Sequence, residues 1–348
     1  MHPKFPTVLT RWIISTILLF CLCATGFGQN ETAASGFTYF DATPNDIFTL
    51  PAAIDSSGQI VGFYTDSANV LHGFLRKAGG KVIIVDPPGS SSTVARASTP
   101  SGLVSGYYAD AAKNYHGFTR DSAGKYVSFD VTSNSVATNA LAMNIHGQIV
   151  GLYVDANHLA HGYLRNTDGT FISFDACHGS VTIPTSINSS GQIAGSFADS
   201  QKQQHGFLRG VKGSCQRIDP PGGTGPIPTA MNDAGEIVGN YFDAAGTPHG
   251  FFRSRNGVFS NIDPPGSTGT LVNGIGPDGI AVGYYYLGTT NQHGFLRKTD
   301  GTYVPVDVPG EVDTAPFAIN KVGTSDVIVG DENMSTGPYR GFLTHYTP

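Results

Sequence analysis

The sequence predicts an all-β protein, a seven-bladed β-propeller of four-stranded blades. Three markers recur with a common period of about 44 residues, which is the signature of a repeat architecture. They are a His-Gly-aromatic triplet, a Gly commonly preceded by Ile-Val, and an Asp that closes an aromatic strand. We number the repeat units one to seven by the first marker, which stands at His72, His116, His161, His205, His249 and His293, with Arg340 in the seventh copy.

Each repeat unit divides into four short strand candidates separated by turn residues. In unit four these are residues 181–188, 192–198, 205–209 and 214–219. Only 13% of the residues are charged while the chain has 45 glycines and 11% aromatics, a composition typical of short strands and tight turns. Helical periodicity is missing from the sequence, so we expect almost no helix.

The two ends of the repeat region predict a closed ring. Residues 36–41 have the pattern of a fourth strand with no first three before it, and residues 341–346 that of a third strand with no fourth after it. Pairing of the N-terminal strand with the last three C-terminal strands would complete one blade and remove two exposed edges. An open solenoid is the alternative, but it would need atypical capping units, and neither end has that pattern.

The N-terminus has the features of an export signal. Basic residues precede an apolar run from Trp12 to Ala24, and small residues follow it. We therefore predict a signal peptide over residues 1–28, a linker over 29–35 and one domain over 36–348, in a secreted or periplasmic monomer. The apolar run is too short for a membrane span, so no membrane insertion is expected. The formal charge of −6 argues against nucleic acid as a partner.

Two cysteines, Cys177 and Cys215, follow the predicted signal peptide. An exported pair is a candidate for a disulfide because the compartment permits one. Their positions in the repeat place them near opposite ends of neighbouring outer strands, which favours two unbridged structural cysteines. The bridge stays open as the alternative.

The motifs of the repeat also carry a family resemblance. Asn-x-x-Gly-Gln-Ile-Val-Gly, followed by His-Gly-Phe-Leu-Arg and then Gly-x-Phe, resembles the HAF family of extracellular repeats of bacterial exported proteins, from about residue 36 to the end. Here Gly replaces the family's Ala after His, and Arg stands where an aromatic is common. The resemblance implies export and a β-propeller-like fold, and it implies no defined activity.

A second set of polar residues accompanies the His marker. An Asp lies six residues before each of five histidines, at Asp66, Asp110, Asp155, Asp199 and Asp243. These side chains could form a ring of similar ligand sites, or they could hydrogen-bond across a hairpin and tie the structure together. Repeated polar residues more often do the second, so we expect a structural role. The Arg four residues after each His predicts a belt of salt bridges.

Unit three offers the one place where a metal site is conceivable. Asp155, His158, His161, Cys177 and His178 could meet on one face, and such side chains bind zinc or copper. Their spacing matches no specific metal signature, so the sequence indicates no cofactor.

No catalytic motif is distinguishable from the repeat background. The sequence thus favours a secreted, non-catalytic scaffold that binds an extracellular glycan or protein through the loops of one propeller face. The alternative is a polysaccharide hydrolase or lyase with its site at the central mouth of the same face, assembled from separate loops.

Overall fold

The computed structural model describes residues 36–288, 291–333 and 339–347, so the predicted signal peptide and linker lie outside the described residues. The described chain is all-β, as predicted, and its only helical element is a 3-10 turn at Ala176–His178. No helix in the described ranges is long and apolar enough to cross a membrane.

The strands are β1 Thr38–Phe40, β2 Phe48–Ile54, β3 Ile60–Thr65, β4 Leu71–Arg76, β5 Val82–Val85, β6 Ser92–Ser98, β7 Val104–Ala109, β8 Tyr115–Arg120, β9 Tyr126–Phe129, β10 Ala137–Met143, β11 Ile149–Val154, β12 Ala160–Arg165, β13 Phe171–Phe174, β14 Val181–Ile187, β15 Ile193–Ala198, β16 Gln204–Arg209, β17 Cys215–Ile218, β18 Thr224–Met231, β19 Ile237–Phe242, β20 Pro248–Arg253, β21 Phe259–Ile262, β22 Gly269–Ile275, β23 Ala281–Tyr286, β24 His293–Arg297, β25 Tyr303–Pro305, β26 Asp313–Val322, β27 Ser325–Asn333 and β28 Tyr339–Tyr346.

Consecutive strands pair antiparallel and form five sheets. Strands β14–β17, β18–β21 and β22–β25 make three four-stranded sheets. Strands β6–β13 make an eight-stranded sheet, and β26–β28 join β1 and β2–β5 in another. Within each eight-stranded sheet a single parallel residue pair links the two halves, Ala137 with Tyr115 in one and Phe48 with Tyr339 in the other.

The first and last strands of the described chain are neighbours, as the sequence predicts. Strand β1 pairs antiparallel with β28, so that Tyr39 lies opposite Phe342 and Thr38 opposite Leu343. The opening strand therefore occupies the place beside β28 that an outer strand occupies in the preceding units.

The opening strand also packs against unit one through ring contacts. The ring of Phe40 lies edge-on to Phe74, with centroids 6.1 Å apart and planes at 74°. The guanidinium carbon of Arg76 stands 4.8 Å from the centroid of the same Phe40 ring. Strand β1 thus connects the C-terminal strands to the first complete unit.

The same contacts recur between units three and four. Phe174 at the end of β13 meets Phe207 at 6.2 Å and 76°, and Arg209 lies 4.7 Å from the Phe174 centroid. Because the geometry matches that of Phe40, the junction across the chain ends is built like a junction within the chain.

The hydrophobic core lies between successive units. Its largest members are the aromatic residues of the His-Gly-aromatic marker, each at most 1% exposed. They are Phe74, Phe118, Tyr163, Phe207, Phe251, Phe295 and Phe342. Burial of one such ring contributes roughly 1.5–3 kcal/mol, so every unit adds a comparable share to stability.

The glycine of the marker is required by this packing. A Cβ built on Gly117 would come within 2.3 Å of the Phe129 ring, and one on Gly162 within 2.8 Å of the Phe174 ring. In these units the outer-strand ring therefore lies directly on the glycine backbone and leaves no room for a Cβ.

Cys177 and Cys215 form a disulfide, so the unbridged arrangement that the sequence favoured is wrong. Their α-carbons are 5.3 Å apart, within the range that a bridge needs. The prediction failed because the first residue of an outer strand reaches back over the preceding unit. In unit two the hydroxyl of Tyr126, at the position equivalent to Cys215, hydrogen-bonds with the backbone of Asp86 in unit one.

The bridge therefore takes the place of the tyrosine hydrogen bond that connects units one and two. The 3-10 turn brings Cys177, in the left-handed conformation at φ 48°, to the start of β17. Units three and four are joined covalently at the place where Tyr126 joins units one and two.

Candidate binding face

One face of the molecule carries the polar residues singled out by the sequence. We call it the loop face and define it by the turns between the second and third strands of the units and by the connections between units. The turns are residues 66–70, 110–114, 155–159, 199–203 and 243–247.

Five of the six marker histidines lie between two carboxylates on the loop face, and among the described residues His293 contacts the following Asp alone. In unit one, Nδ1 of His72 is 2.7 Å from Oδ2 of Asp86, and Nε2 is 3.4 Å from Oδ2 of Asp66. The contact with the following Asp recurs at 2.7–3.3 Å in His116, His161, His205, His249 and His293. The contact with the preceding Asp recurs at 3.3–3.5 Å in the four units that carry Asp110, Asp155, Asp199 and Asp243.

Each preceding Asp also holds its own turn. Oδ1 of Asp66 accepts the backbone N–H groups of Ala68 and Val70 at 2.9 and 2.8 Å. These hydrogen bonds stabilise the ionised form, and they hold the pKa of Asp66 below its ordinary value. The same cause lowers the pKa of the equivalent residues Asp110, Asp155, Asp199 and Asp243.

An aromatic ring of the second strand backs each histidine. The imidazole of His72 stacks on Tyr64 with centroids 5.0 Å apart, and His161 stacks on Tyr153 at 5.2 Å. With a carboxylate on each side and a ring beneath, the imidazole is fixed in place. This geometry agrees with the structural role that we expect from the repeat.

The repeated arginines contact rings and carbonyls instead of carboxylates. Arg165 lies 5.0 Å from the Phe129 centroid, and its Nη1 donates to the carbonyl of Asn166 at 3.5 Å. Within the described residues none of the six arginines Arg76, Arg120, Arg165, Arg209, Arg253 and Arg297 forms an ion pair. The predicted salt-bridge belt is wrong, because Arg76, Arg165, Arg209 and Arg297 lie over an aromatic ring of the preceding unit and Arg120 lies over Tyr126 of its own unit.

The structure argues against the metal site that the sequence left conceivable in unit three. The sulfur of Cys177 is bonded to Cys215 and cannot act as a thiolate ligand. Asp155 and His161 belong to the repeated carboxylate contacts, with Asp175 as the second carboxylate. No group of three or more metal-binding side chains occurs in the part of the chain that the structure describes.

His158 and His178 have backbone roles instead. His158 adopts φ 62° at the turn position that Asn69, Lys113 and Lys202 occupy with φ 60–68° in other units, so it is a turn residue of the repeat. His178 closes the 3-10 turn beside Cys177, with φ 61°.

Unit seven departs from this pattern in a way that sequence reasoning missed. Arg340 replaces the histidine, and Glu332 replaces the aromatic beneath it. The Nε and Nη2 atoms of Arg340 both lie 2.8 Å from Oε1 of Glu332, and the guanidinium covers the ring of Tyr39 at 4.9 Å. An ion pair over an aromatic ring thus takes the place of the histidine stack.

The residue before Glu332 is exceptional as well. Asp331 is 2% exposed, and the equivalent positions hold mostly apolar or aromatic residues. They are Phe63, Tyr107, Leu152, Ser196, Asn240 and Tyr284. A comparison of the seven units column by column would have singled out this carboxylate from the sequence.

The loop face also exposes apolar side chains at the junction of units two and three. Tyr115, Val136 and Leu159 are 39–43% exposed. Val136 directly precedes Ala137, which pairs with Tyr115. The N–H of Val136 donates to the carbonyl of Val154, the residue just before the 155–159 turn. We call these three residues the apolar patch; His116 follows Tyr115 on β8, and Asp155 lies in the same turn as Leu159.

Comparison with known proteins identifies the class of fold. No protein-family model and no curated protein matches the chain. Among solved structures, the β-propeller domain of the trilobed protease from Pyrococcus furiosus has a TM-score of 0.62 at 11% identity, over 85% of this chain and 95% of that one.

Two hydrolases are similar over a part of their length. Puromycin hydrolase has a TM-score of 0.60 at 11% identity, covering 92% of this chain and 58% of that one. A puromycin-hydrolyzing peptidase of Mycobacterium tuberculosis gives 0.58 at 10% identity, with 90% and 56% covered. The chain therefore spans little more than half the length of these enzymes. At such identities the likeness shows the fold alone, and the fold is a β-propeller.

Proposed function

We propose that this chain is an exported, non-catalytic binding scaffold, a closed propeller whose seven units are four-stranded blades. The pairing of β1 with β28 supports closure, and so do the equivalent ring contacts of Phe40 and Phe174. The Cys177–Cys215 bridge supports an oxidising compartment, the periplasm or the exterior. The resemblance of the repeat to the HAF family agrees with export.

The observation that carries the binding role is the apolar patch on the loop face. Exposed apolar side chains within a polar rim mark interaction sites. The ligand is a glycan or a protein of the cell exterior, because a protein with a formal charge of −6 repels nucleic acid. The repeated His and Asp residues hold the turns that carry the patch.

A glycan-array screen with the mature protein, followed by calorimetry of the hits, tests this function. We expect one ligand per chain at the apolar patch, and a Tyr115→Ser, Leu159→Ser double variant should bind at least about tenfold more weakly. Val211→Ser with Val258→Ser removes exposed apolar side chains from turns outside the loop face and serves as the matched control.

Turnover of a bound polysaccharide would contradict the non-catalytic role and would favour the hydrolase or lyase alternative. Equal loss of binding in the patch variant and in its control would contradict the assignment of the patch.

A further inference from the structure

Unit seven and the end of unit six bring together hydrogen-bond acceptors that the described residues leave unpaired. Oδ2 of Asp331 and Oε1 of Gln292 are both buried without a hydrogen-bond partner. Asp331 is 2% exposed and Gln292 is 4% exposed. A buried acceptor without a donor costs roughly 1–3 kcal/mol, and more when it is charged, so two in one place need an explanation.

The two acceptors belong to one cluster on the loop face. The backbone N–H of Gln292 donates to Oδ1 of Asp313 at 2.7 Å, and the amide of Asn333 donates to Oδ2 at 3.2 Å. Asp331 and Asn333 lie two residues apart on β27, and Asp313 lies opposite Asn333, so the two aspartates are diagonal neighbours on one side of the sheet.

Two tyrosines of unit six form the wall beside these acidic groups. Their rings meet edge-on at 5.9 Å and 86°, and both side chains are partly exposed. The hydroxyl of Tyr284 hydrogen-bonds with that of Tyr286, which also hydrogen-bonds with the side chain of Gln292. Both tyrosines are half-buried, while the amide oxygen of Gln292 remains without a donor.

The electrostatics of the cluster favour a positive ligand. Burial, followed by the charges of Asp313 and Glu332, raises the pKa of Asp331 well above its ordinary value. Among the described residues the cation given beside these groups is Arg340, which is already paired with Glu332. A hydroxyl could donate to the free oxygens, but a cationic nitrogen would also pair with the ionised form of Asp331, which burial disfavours in the absence of a ligand. Aromatic rings stabilise such a cation further.

We propose that Asp331 and Gln292 are the acceptors of a binding site for a basic side chain, an alkylammonium or guanidinium group that lies over the rings of Tyr284 and Tyr286. This inference rests on the proposed function, since it names a basic peptide as the partner at one place on the loop face. The site would bind one such group per chain, because the other units have no carboxylate at the position of Asp331.

Calorimetric titration with N-acetyl-lysine amide and N-acetyl-arginine amide tests the proposal, with N-acetyl-glutamine amide as the neutral control. We expect saturable binding of at least one basic amide with a stoichiometry of one, and none of the neutral amide. Preference between the two basic amides distinguishes an ammonium from a guanidinium ligand. Asp331→Asn should weaken binding at least about tenfold.

Asp300→Asn is the matched control, because it removes an exposed carboxylate from the neighbouring β24–β25 hairpin and should leave the affinity unchanged. If Asp331→Asn does not fold, Gln292→Leu tests the second acceptor in its place and should also weaken binding. Equal binding of the neutral amide, unaltered affinity in the acceptor variants, or no saturation up to about 10 mM would overturn the site. Because the glycan array probes the apolar patch, either result stands without the other.

Discussion

At the level of single residues, the marker glycine sets how closely neighbouring strands pack. In units two, three and seven its backbone lies against an aromatic ring of the outer strand, and in the other units it lies against Val85, Ile218, Ile262 or Val306, so a methyl group would overlap its neighbour in every unit. A histidine can be exchanged for Arg340 in unit seven, but Gly341 is kept there, with the Phe40 ring 2.8 Å from a built Cβ. Ring packing therefore constrains the marker more tightly than the imidazole does.

Gly117→Ala should destabilise the protein by about 1–3 kcal/mol, because the new Cβ would lie 2.3 Å from the Phe129 ring. Gly79→Ala is the control, since a Cβ there meets nothing within 4 Å and its backbone is not left-handed. Urea denaturation measures both. Equal midpoints for the two variants would show that the ring moves aside without cost.

Asp331 should make stability fall as pH rises. Burial raises the pKa of Asp331 in the folded protein well above its unfolded value near 3.8. Its contribution to the free energy of unfolding is therefore fully present below the unfolded pKa and is lost as pH rises through the folded pKa. Asp331→Asn removes this loss. The variant should therefore match the wild type at about pH 3.5 and exceed it in unfolding free energy at about pH 7.5. A constant difference between the two proteins across this range would contradict a raised pKa.

At the level of elements, the opening strand is short but makes the contacts of a complete outer strand. Its pairing with β28 was predictable, because the repeat region begins with a fourth strand that has no first three before it and ends with a third strand that has no fourth after it. The register with β28 and the contact between Phe40 and Arg76 were not predictable, since they depend on the tilt of successive strands.

Phe40→Ala should cost about 2–3 kcal/mol, because it removes the ring on which Phe74 and Arg76 pack. Phe174→Ala removes the equivalent ring from an internal junction and should cost the same within about 1 kcal/mol. Denaturant unfolding of the two variants compares the junctions. A Phe40→Ala variant as stable as the wild type would show that β1 contributes nothing.

The same strand tilt explains why the disulfide was missed. The repeat alignment placed the cysteines by strand ends alone, whereas the start of each outer strand reaches the preceding unit. The signal was present in the column that holds Tyr126, Phe171, Cys215, Phe259 and Tyr303, where large side chains predominate. Cys215 is the small residue in that column, and its contact with the preceding unit is the covalent bond to Cys177.

Loss of the bridge should lower the unfolding free energy by about 2–4 kcal/mol, the range expected for a loop that spans 38 residues. A Cys177→Ser, Cys215→Ser double variant, melted beside wild type with and without reductant, measures this. Reductant should destabilise only the wild type. Identical melting of both proteins under oxidising conditions would contradict a stabilising bridge.

At the level of the whole molecule, the repeated units form the frame of the propeller. The positions at which one unit departs from the repeat carry the candidate binding groups. The repeat was sufficient to predict the all-β fold and the turn residues, whereas the seven four-stranded blades stay a prediction. The apolar patch was not found because it becomes visible only when exposure is known, whereas Asp331 could have been singled out by comparing the seven units column by column. The Pyrococcus domain is described as having an open velcro topology, whereas here β1 pairs with β28.

Hydrogen exchange of the backbone amides in β1 tests the joining of the chain ends most directly. If β1 is a permanent partner of β28, the amides of residues 38–40 that bond to β28 should exchange as slowly as those of β13, which holds the equivalent place in unit three. Exchange of all β1 amides at the rate of an unstructured peptide, with β13 still protected, would contradict the account.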